Sequence, residues 1–265
     1  MNTLLHVVDA FTATPFAGNP AAVCVLEGPT DATWMQHVAR EMNLAETAFL
    51  HPIEGGWSLR WFTPAVEVKL CGHATLASAC VLWQVNGRQE QTLRFHTLSG
   101  WLSCTRGSDH GWIDMDFPAE PATPCPIPLG LAEALGCPII ACADGGLDLL
   151  AEVPDEATLR ALTPDFNALA KWPVRGIIAT CRAESGDYDF VSRFFAPAAG
   201  VNEDPVTGSA HCKLGPWWQA KLGKDTFIAF QASPRGGVVK VQVRGDRVLL
   251  SGQAVLMSRV EMVSR

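Results

Sequence analysis

The chain repeats itself once, at half its length. Arg60-Trp-Phe-Thr-Pro-Ala-Val-Glu-Val-Lys69 lies over Arg193-Phe-Phe-Ala-Pro-Ala-Ala-Gly-Val-Asn202 at an offset of 133, with Arg, Phe, Pro, Ala and Val identical in five of the ten columns. Downstream, Thr92 to Ser99 and Thr226 to Ser233 each read as a strand ending in a serine before a turn. A repeat decides architecture before local propensity does, so two similar lobes are expected, 1–125 and 126–265. Pro118 to Pro128, with five prolines, is the expected crossover between them.

Within each half, strand signals outnumber helix signals. Leu5–Phe11, Ala21–Leu26, Trp57–Phe62 and Trp112–Asp116 in the first half are β-branched, aromatic or period-two, as are Gly176–Thr180, Tyr188–Phe195 and Val238–Val243 in the second. Asp31 is placed to cap a short helix running through Glu41. The turn Cys71-Gly72-His73 opens an apolar stretch to Trp83, and Thr207-Gly208-Ser209 opens its counterpart to Leu222. Asp109-His110-Gly111 and Arg244-Gly245-Asp246 carry hairpin-turn chemistry late in both halves. The expectation is an α+β fold of two pseudo-symmetric lobes, each a rolled β-sheet around one central α-helix.

The matched strand-to-helix turns are where chemistry is expected. A helix N-terminus presents unpaired N–H groups and about half a positive charge, which suits a carboxylate or an enolate-like oxyanion. Two such termini facing one cleft would hold an anionic small molecule, with Gly72 and Gly208 allowing close backbone approach. Carried forward without a gap, the repeat sets Cys71 over Asp204, so that each turn presents an ionisable group. Glu46, in the mostly apolar Asn43-Leu-Ala-Glu-Thr-Ala-Phe49, is the candidate general acid–base. The bland readings are a helix-start hydrogen bonder for His73, a turn residue for Asp204, an inert buried thiol for Cys71 and a solvated carboxylate for Glu46. The other histidines, His6, His37, His51, His96, His110 and His211, have no spacing that calls for explanation.

Composition removes other classes. With Lys+Arg 20 against Asp+Glu 27, a net charge of −7 and no basic run, the chain lacks the cationic footprint of a nucleic-acid binder. Leu70 to Gly87 is broken by His73, Thr75, Ser78, Gln84 and Asn86, so no membrane span is expected. Nine cysteines without a framework, and a start with no secretory signal, read as reduced thiols in a cytoplasmic protein. Metal is not expected, since Cys71-Gly-His73 and His211-Cys212 lack zinc-motif spacing, and neither a dinucleotide fingerprint nor a phosphate loop is present.

Asp9-Ala-Phe with Pro15-Phe-Ala-Gly-Asn-Pro20, then Ala45-Glu-Thr-Ala-Phe49, Leu70-Cys-Gly-His-Ala-Thr75 and Glu203-Asp-Pro-Val-Thr-Gly-Ser-Ala-His211, together resemble the PhzF-like isomerases of phenazine biosynthesis. The match extends over nearly the whole chain, to Arg235-Gly-Gly237. The resemblance implies the diaminopimelate epimerase-like fold, an active site between the lobes, and isomerisation by proton transfer without a cofactor. It carries the catalytic roles onto Glu46, His73 and Asp204, and substrate contacts onto Cys71, Gly72, Ala74, Thr75, Gly208 and Ser209. Homodimers are common in that family, so a homodimer is an expectation here. Related epimerases use a cysteine from each half, whereas this chain offers Asp204 in its second half, and Ala45 stands where many relatives have serine. Neither a two-thiol racemase nor the phenazine substrate therefore carries over.

The resulting mechanistic reading has Glu46 move a proton on a carbon acid while His73 and Asp204 orient the substrate and relay protons. The alternative is a non-catalytic binding member of the same fold. A Cys71–His73 thiol hydrolase pair is a third reading, disfavoured because near neighbours in sequence seldom aim their side chains at each other.

Overall fold

A computed structural model describes residues 3–184 and 186–263. It divides into two compact units, Met1–Asp116 with Ser251–Arg265, and Phe117–Leu250.

The first unit contains β1 (Thr3–Ala10), β2 (Asn19–Val25), α1 (Ala32–Met42), β3 (Glu46–Ile53), β4 (Gly56–Phe62), β5 (Glu67–Val68), α2 (Gly72–Gln84), β6 (Thr92–Thr97), β7 (Gly100–Arg106) and most of β8 (Ile113–Pro118). β1 pairs antiparallel with β2, β2 parallel with β3, β3 antiparallel with β4, β4 parallel with β6, and β6 antiparallel with β7. The sheet curls around α2, whose residues from His73 to Trp83 are all buried. A helix apolar on every face belongs inside a unit, and burying Leu76, Val81 or Leu82 there contributes about 1.5–3 kcal/mol each. On the outer face, Met35, Val38 and Ala39 of α1 pack on Leu5, Ala22, Cys24, Phe49 and Phe62. With both faces covered, β2 is almost continuously apolar. Asp31 caps α1 as expected, its carboxylate accepting from Trp34 N–H at 3.0 Å.

The second unit contains β9 (Thr123–Cys125), α3 (Leu131–Leu135), β10 (Ala141–Asp144), β11 (Asp148–Glu152), α4 (Glu156–Arg160), α5 (Phe166–Leu169), β12 (Gly176–Arg182), β13 (Phe190–Ala196), β14 (Val201–Asp204), α6 (Gly208–Leu222), β15 (Thr226–Gln231), β16 (Gly237–Arg244) and most of β17 (Arg247–Gly252). Its ladder follows the first: β11 parallel to β12, β12 antiparallel to β13, β13 parallel to β15, β15 antiparallel to β16. Phe62 faces Thr47 and Phe195 faces Ile177, so the repeated segment occupies one register in both ladders. Where α1 covers the first sheet, the short α3, α4 and α5 supply Leu131, Leu135, Leu159 and Leu169 against Ile177, Ala179 and Phe195.

Two features depart from the expected lobes. The C-terminal strand Ala254–Met262 pairs antiparallel with β1, Thr3 against Met262 and Ala10 against Ala254, so the chain's end returns to the first unit instead of completing the second. The ungapped repeat also fails in the turn. Arg60 clasps Glu67 seven residues on, with Nε and Nη2 donating to the two carboxylate oxygens at 2.7 and 2.8 Å. Arg193 clasps Glu203 ten residues on with the same two distances. Two of the three extra residues lie in the 3₁₀ turn Pro197–Ala199 with its closing Gly200, and the third in a shift of register between β13 and β14 before Asp204. Beyond it, Asp204 pairs with Phe194 as Val68 pairs with Trp61, and Thr207 holds the N-cap place of Cys71. The predicted equivalence of Cys71 with Asp204 is therefore corrected.

Candidate active site

In the first unit, β2, β3 and the start of α2 bring four polar side chains together. Glu46 is the first residue of β3, half-buried, and its Oε2 lies 3.1 Å from Nε2 of the buried His73. The other ring nitrogen, Nδ1, lies 3.2 Å from Nδ2 of Asn19, the first residue of β2. Asn19 follows Gly18, whose φ of +67° and approach to Ala10 O leave no room for a Cβ. A neutral ring donates from Nε2 to Glu46 and accepts at Nδ1 from the Asn19 amide; a charged ring donates at both, with the amide reversed to offer its oxygen.

Cys71, the N-cap of α2 in extended conformation, sets its Sγ 3.6 Å from His73 Nδ1 and 4.0 Å from Nε2. The expectation that these near neighbours would not meet is overturned, because the chain turns from strand to helix between them. Burial first, and then the Glu46 charge, push the thiol up to about 11, so it is protonated at neutral pH and a poor nucleophile. Burial disfavours charge on His73; against it, the charges of Cys71 and Glu46 and hydrogen bonds to both hold the ring well above its ordinary value. Since the thiol is protonated, the Glu46 carboxylate is the partner that sustains this shift.

Gly72 opens α2, and Ala74 is fully buried behind it. The Thr75 hydroxyl donates to Cys71 O at 2.6 Å and its N–H to the same oxygen at 3.2 Å. Thr75 thus braces the helix start, and its own donors are already used.

The second unit builds a different constellation at the matching helix start. The Thr207 hydroxyl donates to the Asp204 carboxylate. Buried Gln231 clamps the turn, its Oε1 accepting from Thr207 N–H at 2.9 Å and its Nε2 donating to Asp204 O at 2.7 Å. Gly208 opens α6, and the Ser209 hydroxyl accepts from Nη2 of Arg175 at 3.0 Å. Arg175 itself clasps the fully buried Asp148, which also meets buried Lys213 at 3.2 Å. Lys213 in turn pairs with Glu120. By ladder register Gly176 and Arg175 stand where the first unit has Glu46 and Ala45. One helix start faces an acid and the other a guanidinium.

Sequence reasoning missed Asn19, Arg175 and Gln231. Asn19 lies within a motif already singled out, Pro15 to Pro20, and Gln231 within the repeat-matched strand Thr226 to Ser233; Arg175 lies outside every motif.

A family model described as "Phenazine biosynthesis-like protein", PhzC-PhzF, matches residues 8–259. The chain belongs to that family. An uncharacterized isomerase of Halalkalibacterium halodurans is 52% identical over 265 residues, covering 99% of both chains. A crystal structure of a PhzF-family protein from Enterococcus faecalis superposes with a TM-score of 0.95 at 42% identity and full coverage of both chains. A hydroxyproline epimerase from Agrobacterium vitis shares the fold at 12% identity, with a TM-score of 0.64 over 98% of this chain and 92% of that one. This PhzF-family protein has the diaminopimelate epimerase-like fold and is an isomerase.

Proposed function

We propose that the protein isomerises a small carboxylate-bearing metabolite by proton transfer without a cofactor, with the substrate bound between the two lobes. The observation that carries this reading is the Glu46 carboxylate 3.1 Å from His73, at the start of a buried helix. Glu46 accepts a proton from a carbon next to an electron-withdrawing group, and the C–H electrons pass into an enolate-like system. First-turn N–H groups of α2 and α6 stabilise the oxyanion, and Glu46 returns the proton at another carbon or face, so atoms and charge balance. His73 keeps the carboxylate oriented and shares its proton. Asp204, whose carboxylate is held by the Thr207 hydroxyl, relays a proton on the other side of the substrate. Gly208 and Ser209 contribute anion contacts.

The nine cysteines are all free, which supports a reducing, cytoplasmic setting. No helix among the described residues is long and apolar enough to cross a membrane. A homodimer acting on a small-molecule substrate, with no nucleic-acid partner, completes the proposal; sedimentation tests the assembly.

The decisive experiment screens small carboxylates in heavy water by NMR. Incorporation of deuterium at carbon, abolished by Glu46→Gln, is the expected result. A ligand that binds without any exchange of carbon-bound hydrogen would instead identify a binding protein. Full turnover by Glu46→Gln would remove Glu46 from the mechanism.

A further inference from the structure

We infer that Cys125 and Cys142 form a modification site, a cross-strand dithiol that a low-molecular-weight disulfide oxidises reversibly to an intramolecular bridge. Nothing in their spacing along the chain marks them as a pair, and folding sets them together. β9 pairs antiparallel with β10, and Cys125 stands directly opposite Cys142. Directly opposite residues point to the same face of a sheet. Both cysteines accordingly pack on the second unit's core, Cys142 buried within it and Cys125 half-buried at its margin.

The ladder fixes which kind of pair this is. The next pair along sets Pro124 opposite Ala143. Proline has no N–H to exchange, so that pair is the non-hydrogen-bonded one, and Cys125–Cys142 is a hydrogen-bonded pair with Cα atoms about 5.5 Å apart. A disulfide joins Cα atoms about 4.4–6.8 Å apart, so the backbone is already within reach. The Cβ atoms of such a pair are about 5.5 Å apart, against about 3.5–4.5 Å across a disulfide, so closure draws the strands together. β9 is three residues long and lies in the proline-rich crossover, so little ladder has to yield. The strain that remains makes the bridge easy to reduce, and in a reducing compartment the dithiol persists.

The two sulfurs have different parts. Burial first, then a hydrogen bond to Cys125 and that sulfur's charge, push the Cys142 thiol up to about 12, so Cys142 keeps its proton. Cys125 is the accessible sulfur. Its thiolate attacks one sulfur of the oxidant, expels a thiolate and leaves a mixed disulfide on Cys125. Cys142 then passes its proton to the expelled thiolate, attacks Cys125 Sγ and displaces the second thiol. The protein has lost two hydrogens, and the oxidant has been reduced to two thiols. Cys137 and Cys181 pack on the same core and are the competing partners, but Cys137 lies outside the strands and Cys181 faces Val191. The bridge would close the loop that holds α3 and tie the end of the crossover into the second unit's sheet. It leaves Glu46, Cys71 and His73 untouched, so the site does not depend on the proposed isomerisation.

Oxidised glutathione is the probe, applied to the full-length native protein without denaturant at about pH 8. The expected product has an intact mass lower by two hydrogens, a proteolytic fragment joining Cys125 to Cys142, and is restored by excess reduced glutathione. Cys142→Ser should stop at the glutathione adduct on Cys125. A wild-type protein that also ends as that adduct, that bridges Cys142 to Cys137 or Cys181, or that does not react at Cys125 overturns the site. A bridge that excess glutathione leaves intact overturns its reversibility. Should Cys142→Ser fail to fold by circular dichroism, the fragment map of the oxidised wild type decides alone.

Discussion

Thr75 and His211 hold the same place in their respective helices. The Thr75 hydroxyl donates to the N-cap carbonyl of Cys71 at 2.6 Å, and His211 Nδ1–H donates to the N-cap carbonyl of Thr207 at 2.8 Å. A carbonyl can only accept, so His211 carries its proton on Nδ1. Its Nε2 is buried with no hydrogen-bond partner among the described residues.

His211 therefore gives acid sensitivity. Burial pushes its pKa down to about 4, against about 6.5 in an unfolded chain. Above the unfolded value both states are neutral and the contribution to stability is complete. As pH falls from about 6.5 to about 4 the unfolded chain takes up a proton that the fold refuses, costing about 3 kcal/mol in total. His6 and His51, both lowered by burial and by a nearby arginine, act in the same direction. Urea unfolding at pH 7 and pH 4.5 should show the loss, and His211→Asn should flatten the curve; an unaltered slope in that variant refutes the assignment.

The His73 titration should depend on Glu46. Replacing the carboxylate by the amide of glutamine leaves the ring buried without the charge that offsets burial, so its pKa falls. In the wild type the linked stability has the opposite sense to that of His211. It is complete below the unfolded value and lost as pH rises through the folded one. NMR titration of the ring in both proteins measures the shift, and identical values would show that Glu46 does not govern it.

The two equivalent arginine clasps should differ in worth. Arg60 is 29% exposed, and its truncation to alanine should cost about 0–1 kcal/mol. Arg193 is 9% exposed, and its Nη1 also donates to Leu162 O at 2.8 Å. Arg193→Ala should cost about 3–5 kcal/mol, because Glu203 and that carbonyl lose their donor in a dry setting. Denaturant midpoints for the pair of variants test this, with equal losses counting against it.

Asp148 should be essential to the second unit's stability. It is fully buried between Arg175 and Lys213, and Asp148→Asn leaves the two cations without the carboxylate that touches both, with the partly exposed Glu120 on Lys213 and the charges of Glu120 and Asp204 acting on Arg175. A loss of about 3 kcal/mol is expected in urea unfolding. A change below about 1 kcal/mol would mean that water or rearrangement replaces the carboxylate.

Much of this was legible where the signal is local. Asp31 announced α1 because an N-cap acts within three residues, and the alternation in Trp57–Phe62 announced β4 because a strand half in a core repeats every two. Glu46, Cys71 and His73 were each singled out, yet nothing in their spacing foretold distances of 3.1 to 4.0 Å. The ungapped repeat misplaces Asp204 because the longer 3₁₀ turn and the register shift beside it add residues without altering the pattern of the flanking strands.

The sequence by itself determined the duplication, the strand-rich halves each with a buried helix, and the residue types offered at each helix start, since these follow from periodicity and short-range hydrogen bonding. Only the tertiary structure decided that Asn19 orients His73, that Arg175 faces Ser209, and that the last strand joins β1. Those contacts join residues tens to hundreds of positions apart, where partner choice is fixed by packing and ladder register and no local preference records it.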